Sequence, residues 1–263
     1  MSTADSTCRD FDGFHDDEEY TGEEISMKKV VTFGEVMLRL SPPEDRRLVQ
    51  ADSFDVTFGG SEANVAASLS RLGVPADFVT ALPRNDIAER CLRHLRGYRV
   101  GTRHIVRRSG RMGLYYVEPG VAQRGGNVIY DRRGSALARI EPGDVHWEKA
   151  FQNADWFHWT GITPAVSESA AEACSEALEA ATDAGLTVSC DLNYRSKLWN
   201  WCDSPEDVMH GLVEKCDLAV ANEEDAEDFF DISAPGADVE AGEVDADRYV
   251  TVCEQLSDRF PRL

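Results

Sequence analysis

Apolar residues along the chain form short continuous runs and longer runs with helical spacing, and the two kinds alternate. The run at 30–33 is mostly apolar and ends at Gly34, which is typical of a buried strand. The run at 167–184 repeats its apolar positions every three or four residues and precedes Gly185, which predicts an amphipathic helix with a glycine C-cap. Gly73 and Gly97 are predicted to end earlier helices. The predicted strands are 30–33, 76–81, 156–160, 186–192 and 218–221, and the predicted helices are 61–72, 87–95, 167–184 and 205–215.

This order of elements predicts the fold class. Strands that alternate with helices of this length favour a mostly parallel sheet covered by helices on both faces. Three further runs, 52–58, 114–118 and 127–131, alternate polar and apolar residues between glycines and predict a small separate sheet. Residues 103–107 are a further candidate strand for that sheet.

Two segments, near the start and near the end of the chain, lack this alternation of apolar runs and are richer in acidic and polar residues. Residues 1–26 are acidic and polar without a sustained period, which predicts a disordered tail, and Met27 is an alternative start. Residues 234–245 combine glycine, proline and acids, as a loop does, and a last helix is predicted to end near Phe260. The sequence therefore predicts one domain over residues 27–263 behind a tail.

Charge narrows the classes of partner. The formal net charge is -21, with 48 acidic and 27 basic residues, which disfavours binding to nucleic acid or to anionic membranes. An acidic, lysine-poor surface favours a protein from a salt-loving organism over an ordinary acidic one. The chain has no apolar run of membrane-spanning length and no secretory signal, so we expect a cytoplasmic protein. The seven cysteines show no C-x-x-C pair, so they predict neither a zinc site nor a disulfide framework.

One motif at the start of the first long helix is specific. Two glycines, Gly59 and Gly60, precede the string S-E-A-N-V-A-x-x-L-x-R-L-G, which contains Asn64 and ends at Gly73. Glycines permit close approach of a ligand to the backbone, and a helix N-terminus suits polar or anionic groups. The whole string resembles the N-terminal signature of ribokinase/PfkB-family sugar kinases. The stretch T-F-G-E-x-M-L-R-L around Arg39 is similar to the 2-keto-3-deoxygluconate kinase branch.

The resemblance implies a ribokinase-like three-layer α/β sandwich and gives the small sheet a role as a lid, with strands within 50–60 and 103–132. Tyr130 and Arg132 lie on one face of a predicted strand. The alternation alone favours an ordinary charged sheet face over a binding surface. In the kinase branch, a tyrosine from each lid segment and the arginine bind substrate, which implies these roles for Tyr115, Tyr130 and Arg132.

Further candidates follow the predicted strands of the main sheet. Asp191, Asn193 and Arg195 form a D-x-N-x-R string after one strand, at the edge where open α/β sheets bind ligands. The resemblance implies sugar-acid contact for Arg195, with a structural ion pair as the alternative, and a phosphate-side role for the other two. Asn222 and Asp225 resemble an Asn-x-x-Glu motif of the magnesium–phosphate network, with aspartate where glutamate is usual. A helix N-terminus rich in acids explains the same residues.

The resemblance implies an ATP- and Mg2+-dependent kinase that phosphorylates 2-keto-3-deoxygluconate, with lids that can pair into homodimers or higher oligomers. The family's catalytic aspartate lies in a Gly-Ala-Gly-Asp-like motif, and no such motif follows Asn222. We therefore expect the base beyond Leu263, no catalytic base within this chain, and no turnover by residues 1–263 alone. The alternatives are a fructokinase-like kinase of the same family and a non-catalytic sugar-acid-binding fragment or pseudokinase.

Overall fold

The structure is a computed structural model that describes residues 28–233 and 246–263. The predicted tail at 1–26 and the predicted loop at 234–245 lie outside the described residues. Within the described part, no helix is both long and apolar enough to cross a membrane.

The main sheet has five parallel strands. They are β1 (Val30–Phe33), β4 (Ala76–Val79), β9 (Trp156–Thr160), β10 (Thr187–Asp191) and β11 (Leu218–Val220), in the spatial order β11-β10-β9-β1-β4. All five were predicted, although most are shorter than the apolar runs suggested. The run at 76–81 splits, since Ala81–Leu82 forms a separate strand, β5.

Helices cover both faces of this sheet and create two apolar clusters. On one face, α1 (Ser61–Arg71) and α2 (Asp86–Gly97) pack around Phe78. On the other, α5 (Glu168–Asp183) packs on Phe157 and Trp159 together with shorter helices. Those helices are α3 (Trp147–Ala150), α4 (Ile162–Ala165), α6 (Pro205–Val213), α7 (Glu223–Phe230) and α8 (Ala246–Arg259). The sandwich architecture predicted from the sequence is confirmed.

Helix ends follow their local chemistry in most cases. Ser167 accepts a hydrogen bond from the Ala170 amide at the start of α5, and Gly185 after its end has a φ of 70°, as predicted. The helix predicted at 87–95 was expected to stop before Gly97, whereas α2 includes Gly97 as its last residue. Arg99 takes the left-handed conformation instead, with a φ of 66°, because the chain turns there to bring the buried Val100 back to the core.

The lid is a separate four-stranded sheet in the order β3-β2-β7-β8. Its strands are β2 (Met37–Ser41), β3 (Asp55–Gly59), β7 (Leu114–Glu118) and β8 (Asn127–Asp131). The predicted bounds of β7 and β8 are confirmed, whereas β2 was not assigned to the lid. The candidate strand at 103–107 is wrong as a lid strand, because β6 (Val106–Arg107) pairs with β5 in a two-stranded sheet.

Candidate active site

The site lies where the lid faces the carboxyl ends of the parallel strands. Glu35 follows β1, Gly161 follows β9, and Asp191 ends β10. Ligands of open parallel sheets bind at this edge, where the strand-to-helix turns leave a crevice. A cleft of about 1260 Å3 opens here between β8 and the loop after β10. Its lining includes Tyr130, Arg132 and Arg195, so the structure brings three of the predicted substrate residues together.

The Gly59–Gly60 turn joins the lid to α1 in close contact with its surroundings. A side chain at position 60 would collide with the backbone carbonyl of Glu35, and a Cβ at position 59 would lie 2.5 Å from the Tyr115 hydroxyl oxygen. Close approach of two backbone segments therefore requires glycine at position 60, whereas a side chain at position 59 would displace the end of Tyr115. Asn64, exposed in the first turn of α1, borders a smaller cavity of about 270 Å3 beside Gly59, away from the main cleft.

Two tyrosines and an arginine form a row across the lid. Arg39 on β2 pairs with Tyr115 on β7, which in turn pairs with Tyr130 on β8, so all three point to one face. The tyrosine rings stack, with centroids 5.9 Å apart. Burial raises the pKa of the Tyr115 hydroxyl and the nearby Arg39 guanidinium opposes that rise, so the hydroxyl stays protonated and can donate to a ligand oxygen.

Arg132 is buried in an ion pair with Glu35. Its Nε donates to Glu35 Oε2 over 2.7 Å, and its Nη2 lies 2.5 Å from the same oxygen. The two side chains are only 8% and 4% exposed, yet Arg132 Nη2 and Glu35 Oε1 have no well-aligned hydrogen-bond partner. A guanidinium has five N–H donors and only Nε has an aligned acceptor here, so Arg132 keeps unpaired donors where it borders the cleft.

Arg195 lies across the cleft from the lid and is exposed. Its Nη1 donates to the Tyr194 carbonyl oxygen over 2.8 Å, and no carboxylate of the described residues forms an ion pair with it. The alternative role as a structural ion-pair partner therefore finds no support in the described part of the chain. A guanidinium on each wall, paired with Glu35 on the lid side and unpaired at Arg195, suits a small anionic ligand.

The predicted phosphate-side residues form a connected group after β10 and β11. Asp225 Oδ1 accepts a hydrogen bond from the Tyr194 amide over 2.8 Å, and Asn222 Oδ1 accepts one from the Asp225 amide over 2.7 Å. Asn193 donates to Asp191 Oδ2 over 3.4 Å. The Asn222–Asp225 contacts form a capping box that begins α7, so these two residues have a structural role besides any ligand role.

Two carboxylates of this group repel each other. The pKa of Asp191 is raised, first by partial burial and then by the negative charge of Asp225. A divalent cation near both would relieve that repulsion, and carboxylates with intervening waters suit Mg2+, so the residues fit the metal that the family implies. Among the described residues, no cluster of three or more His, Cys, Asp or Glu side chains could hold a metal ion by itself.

Glu62 is a buried acid below the sugar side of the site that the sequence analysis did not single out. Its Oε1 accepts hydrogen bonds from Thr160 Oγ1 over 2.7 Å and from Thr163 Oγ1 over 3.0 Å, and its carboxyl group lies against Gly34. Burial raises its pKa from 4.5 to about 7, and the two threonine hydroxyls and the charge of Arg132 oppose the rise. The sequence carries no signal for this role, because an acid in the first turn of a helix is usually exposed and favourable there.

Comparison with known proteins agrees with this architecture. The family model described as pfkB family carbohydrate kinase matches residues 27–247. The chain is 42% identical over 199 residues to the 2-dehydro-3-deoxygalactonokinase of Haloferax volcanii, an alignment that covers 75% of this chain and 61% of that protein. It is 30% identical over 176 residues to the 2-dehydro-3-deoxygluconokinase of Thermoproteus tenax, covering 66% and 53%. The chain thus spans less than two thirds of the length of both relatives.

A solved structure gives the same result in three dimensions. The crystal structure of 2-dehydro-3-deoxygluconokinase from Thermotoga maritima superposes with a TM-score of 0.82 at 44% identity, covering 89% of this chain and 69% of that one. The parallel sheet, the separate lid sheet and the matched residues lead to one conclusion: the chain belongs to the pfkB family of carbohydrate kinases.

Proposed function

We propose that this chain binds a 2-keto-3-deoxy sugar acid, with 2-keto-3-deoxygluconate as the substrate, and presents it to ATP for phosphoryl transfer. The observation that carries the proposal is Arg132, a buried arginine that borders the cleft and whose Nη2 has no well-aligned hydrogen-bond acceptor. Arginine grips a carboxylate through two parallel hydrogen bonds, which a neutral sugar does not offer.

The other predicted substrate residues have complementary roles in this proposal. Tyr115 and Tyr130 donate hydrogen bonds to substrate oxygens from the lid, and Arg195 contacts the acid from the opposite wall. Gly59 and Gly60 form the turn that joins the lid to α1 beside Tyr115, and Asn64 is assigned to the substrate side by the resemblance, although it borders the smaller cavity beside Gly59. Positioning of this kind provides much of the rate enhancement in phosphoryl transfer.

The phosphate side is assigned to the group after β10 and β11. Asp191, Asn193 and Asn222 orient the phosphate groups of ATP, and Asp225 acts on Mg2+ through water. The metal would neutralise charge on the transferring phosphoryl group. The resemblance places the general base in a Gly-Ala-Gly-Asp segment, so we assign that role to no described residue and expect no turnover from residues 1–263 alone.

A second substrate has specific support. The Haloferax volcanii relative is a 2-dehydro-3-deoxygalactonokinase. The galactonate and gluconate substrates share the carboxylate, the ketone and the deoxy carbon and differ in one hydroxyl configuration. The carboxylate contacts proposed for Arg132 and Arg195 serve both acids, so the one differing hydroxyl must be distinguished elsewhere in the cleft.

Calorimetric titration with both keto-deoxy acids and with fructose tests the assignment, since binding needs no catalytic base. We expect both acids to bind and fructose to bind more weakly. Stronger binding of fructose would support the fructokinase-like alternative. An ADP-release assay on residues 1–263, alone and joined to a downstream family segment, then separates a binding fragment from a kinase. Turnover by residues 1–263 alone would show that the base lies within them.

A further inference from the structure

Glu62 connects three segments that meet under the sugar side of the cleft. It is the second residue of α1, directly after the Gly59–Gly60 turn, and its backbone carbonyl accepts a hydrogen bond from Thr32 Oγ1 of β1 over 3.0 Å. Its carboxyl group receives the hydroxyls of Thr160, at the end of β9, and Thr163, in α4. The side chain is 1% exposed. The charge state of this carboxyl group therefore acts on the floor of the site.

The charges that face Glu62 are unbalanced. Arg132 from the lid is the cation that acts on it, and the same arginine is already in an ion pair with Glu35. From α5 the facing group is the Cys174 thiol, whose raised pKa keeps it neutral. Arg132 is thus the ion-pair partner of Glu35 and a weaker, more distant influence on Glu62, whose carboxyl group lies against Gly34 beside Glu35. Two ionised carboxylates around one cation leave an uncompensated buried charge, which is costly.

We propose that Glu62 is a positioning residue of the sugar site that must carry its proton when a sugar acid binds, so that binding of the anionic substrate is accompanied by proton uptake. This inference rests on the proposed function. The substrate carboxylate becomes the second negative partner of Arg132, beside Glu35. A neutral Glu62 leaves the guanidinium to those two, whereas an ionised Glu62 competes for it.

The expected effect has a definite size and direction. With the pKa of Glu62 near 7, and with binding limited to its protonated form, the dissociation constant for the acid rises about tenfold between pH 6 and pH 8. A neutral ligand brings no carboxylate to Arg132, so its dissociation constant is expected to change little over the same range. Protonation of the ligand does not contribute, because a sugar carboxylic acid is ionised throughout this range.

The test is calorimetric titration of the full chain with 2-keto-3-deoxygluconate at pH 6 and pH 8, in buffers of different ionisation enthalpy. Wild type is expected to take up protons near neutral pH and to lose about tenfold in affinity. Glu62→Gln retains an acceptor oxygen for both threonines and is expected to remove the proton uptake and the pH dependence. Glu172→Gln, an exposed change on α5, is the matched control and should behave as wild type.

A second pair of variants covers the case in which Glu62→Gln fails to fold. Thr160→Val removes a hydrogen bond that favours the ionised carboxylate, so it is expected to move the loss of affinity to higher pH. Thr160→Ser keeps the hydroxyl and should restore the wild-type midpoint. An unchanged midpoint in Thr160→Val, or a wild-type pH dependence in Glu62→Gln, would overturn the coupling while leaving the proposed function intact.

Infrared spectroscopy separates this inference from the proposed function. A buried protonated carboxyl band is expected in ligand-free wild type at pH 6 and is expected to be absent in Glu62→Gln. If that band is present but the sugar acid binds at neither pH, the proposed function fails and the coupling with it. If the acid binds without proton uptake, only the coupling fails.

Discussion

Arg132 depends on the shape of its side chain as well as on its charge. Its Nε and Nη2 both approach one oxygen of Glu35, which leaves the other edge of the planar guanidinium toward the cleft. A lysine ammonium could neutralise Glu35 but could not present two parallel donors to a carboxylate at the same time. The residue is therefore a stringent place to test the sugar-acid assignment.

Arg132→Lys is expected to raise the KM for 2-keto-3-deoxygluconate about tenfold or more in a full-length kinase, because one bidentate charged contact is lost. The KM for ATP should stay near the wild-type value. Arg46→Lys, an exposed change in the loop between β2 and β3 and outside the cleft lining, is the control. Steady-state kinetics with each substrate varied measure both constants, and equal increases in the two KM values would count against a carboxylate contact.

Glu62 also gives the folded chain a pH-dependent stability. Below pH 4.5 the Glu62 carboxyl group is protonated in both the folded and the unfolded chain, so it does not change the free energy of unfolding with pH. Between pH 4.5 and about 7 the folded chain holds a proton that the unfolded chain has released, so this group lowers stability progressively as pH rises. Above pH 7 the penalty is complete, with an upper limit of about 3 kcal/mol.

Glu62→Gln is therefore expected to raise the free energy of unfolding at pH 8 by about 2–3 kcal/mol and to raise it much less at pH 5. Urea unfolding at the two pH values measures the difference. Glu172→Gln again provides the control, with no pH-dependent gain. An equal change at both pH values would mean that packing, not ionisation, dominates the effect of the substitution.

At the scale of elements, α7 is joined to the ligand side of the sheet through its first turn. The capping box of Asn222 and Asp225 starts the helix, and Asp225 also holds the Tyr194 amide in the loop after β10. The residues that the resemblance assigns to phosphate and metal thus also fix the geometry of two neighbouring turns. Loss of activity on mutation would not by itself distinguish the two roles.

A stability measurement does distinguish them. Asn222→Ala is expected to lower the free energy of unfolding by about 1 kcal/mol, because the Asp225 amide loses its acceptor. Asn222→Asp retains an acceptor at the cap and should restore most of that loss. Chemical denaturation of both variants without ligand gives the comparison. Equal destabilisation of the two would show that the cap contact contributes little.

The elements that the sequence predicted best are those whose signal is local. β7 and β8 alternate between glycines, so their bounds could be predicted exactly. β2 was missed as a lid strand because its role depends on distant partners: it pairs with β3 on one side and with β7, more than 70 residues away, on the other. The pairing of β6 with β5 is equally non-local and carries no signal in residues 103–107 themselves.

The same limit applies to the site. The spacing of Tyr130 and Arg132 predicted one strand face for both, but β8 ends at Asp131, so Arg132 lies just beyond the strand and is buried. That Arg132 is in an ion pair with Glu35, 97 residues earlier, requires the fold. Glu62 was missed because charged residues near a helix N-terminus are usually exposed and favourable there, so its sequence context suggested nothing unusual. Only the packing of β1, β9 and α4 around it reveals the burial.

At the scale of the whole molecule, charge is the dominant property. A net charge of -21 on 263 residues repels itself in the compact state. Arginines supply most of the positive charge, and within residues 28–233 and 246–263 ten of the eleven arginine and lysine ion pairs have at least one partner with a side chain more than 15% exposed. Such pairs contribute little each and do not offset the net repulsion.

We therefore expect the melting temperature to rise when KCl is increased from 0.1 M to 1 M, since the screening length falls from about 10 Å to about 3 Å. Differential scanning fluorimetry at pH 7.5 measures the shift. At pH 5 the rise in melting temperature with KCl should be smaller, because more carboxylates are protonated and the net negative charge is lower. A melting temperature that is flat or falls with salt at pH 7.5 would contradict a stability limited by self-repulsion.

The Glu35–Arg132 pair has a mechanical consequence that follows from where it lies. The chain passes between the body and the lid four times: before β2, after β3, before β7 and after β8. Glu35 is at the first passage, its carbonyl lies against Gly60 at the second, its carboxyl against Gly113 at the third, and Arg132 is the fourth. The segments that connect the lid to the body and the arginine proposed to bind the acid thus meet at the same few residues. A rotation of the lid relative to the body would have to occur around this ion pair. We therefore expect a ligand carboxylate that binds Arg132 to change the orientation of the lid.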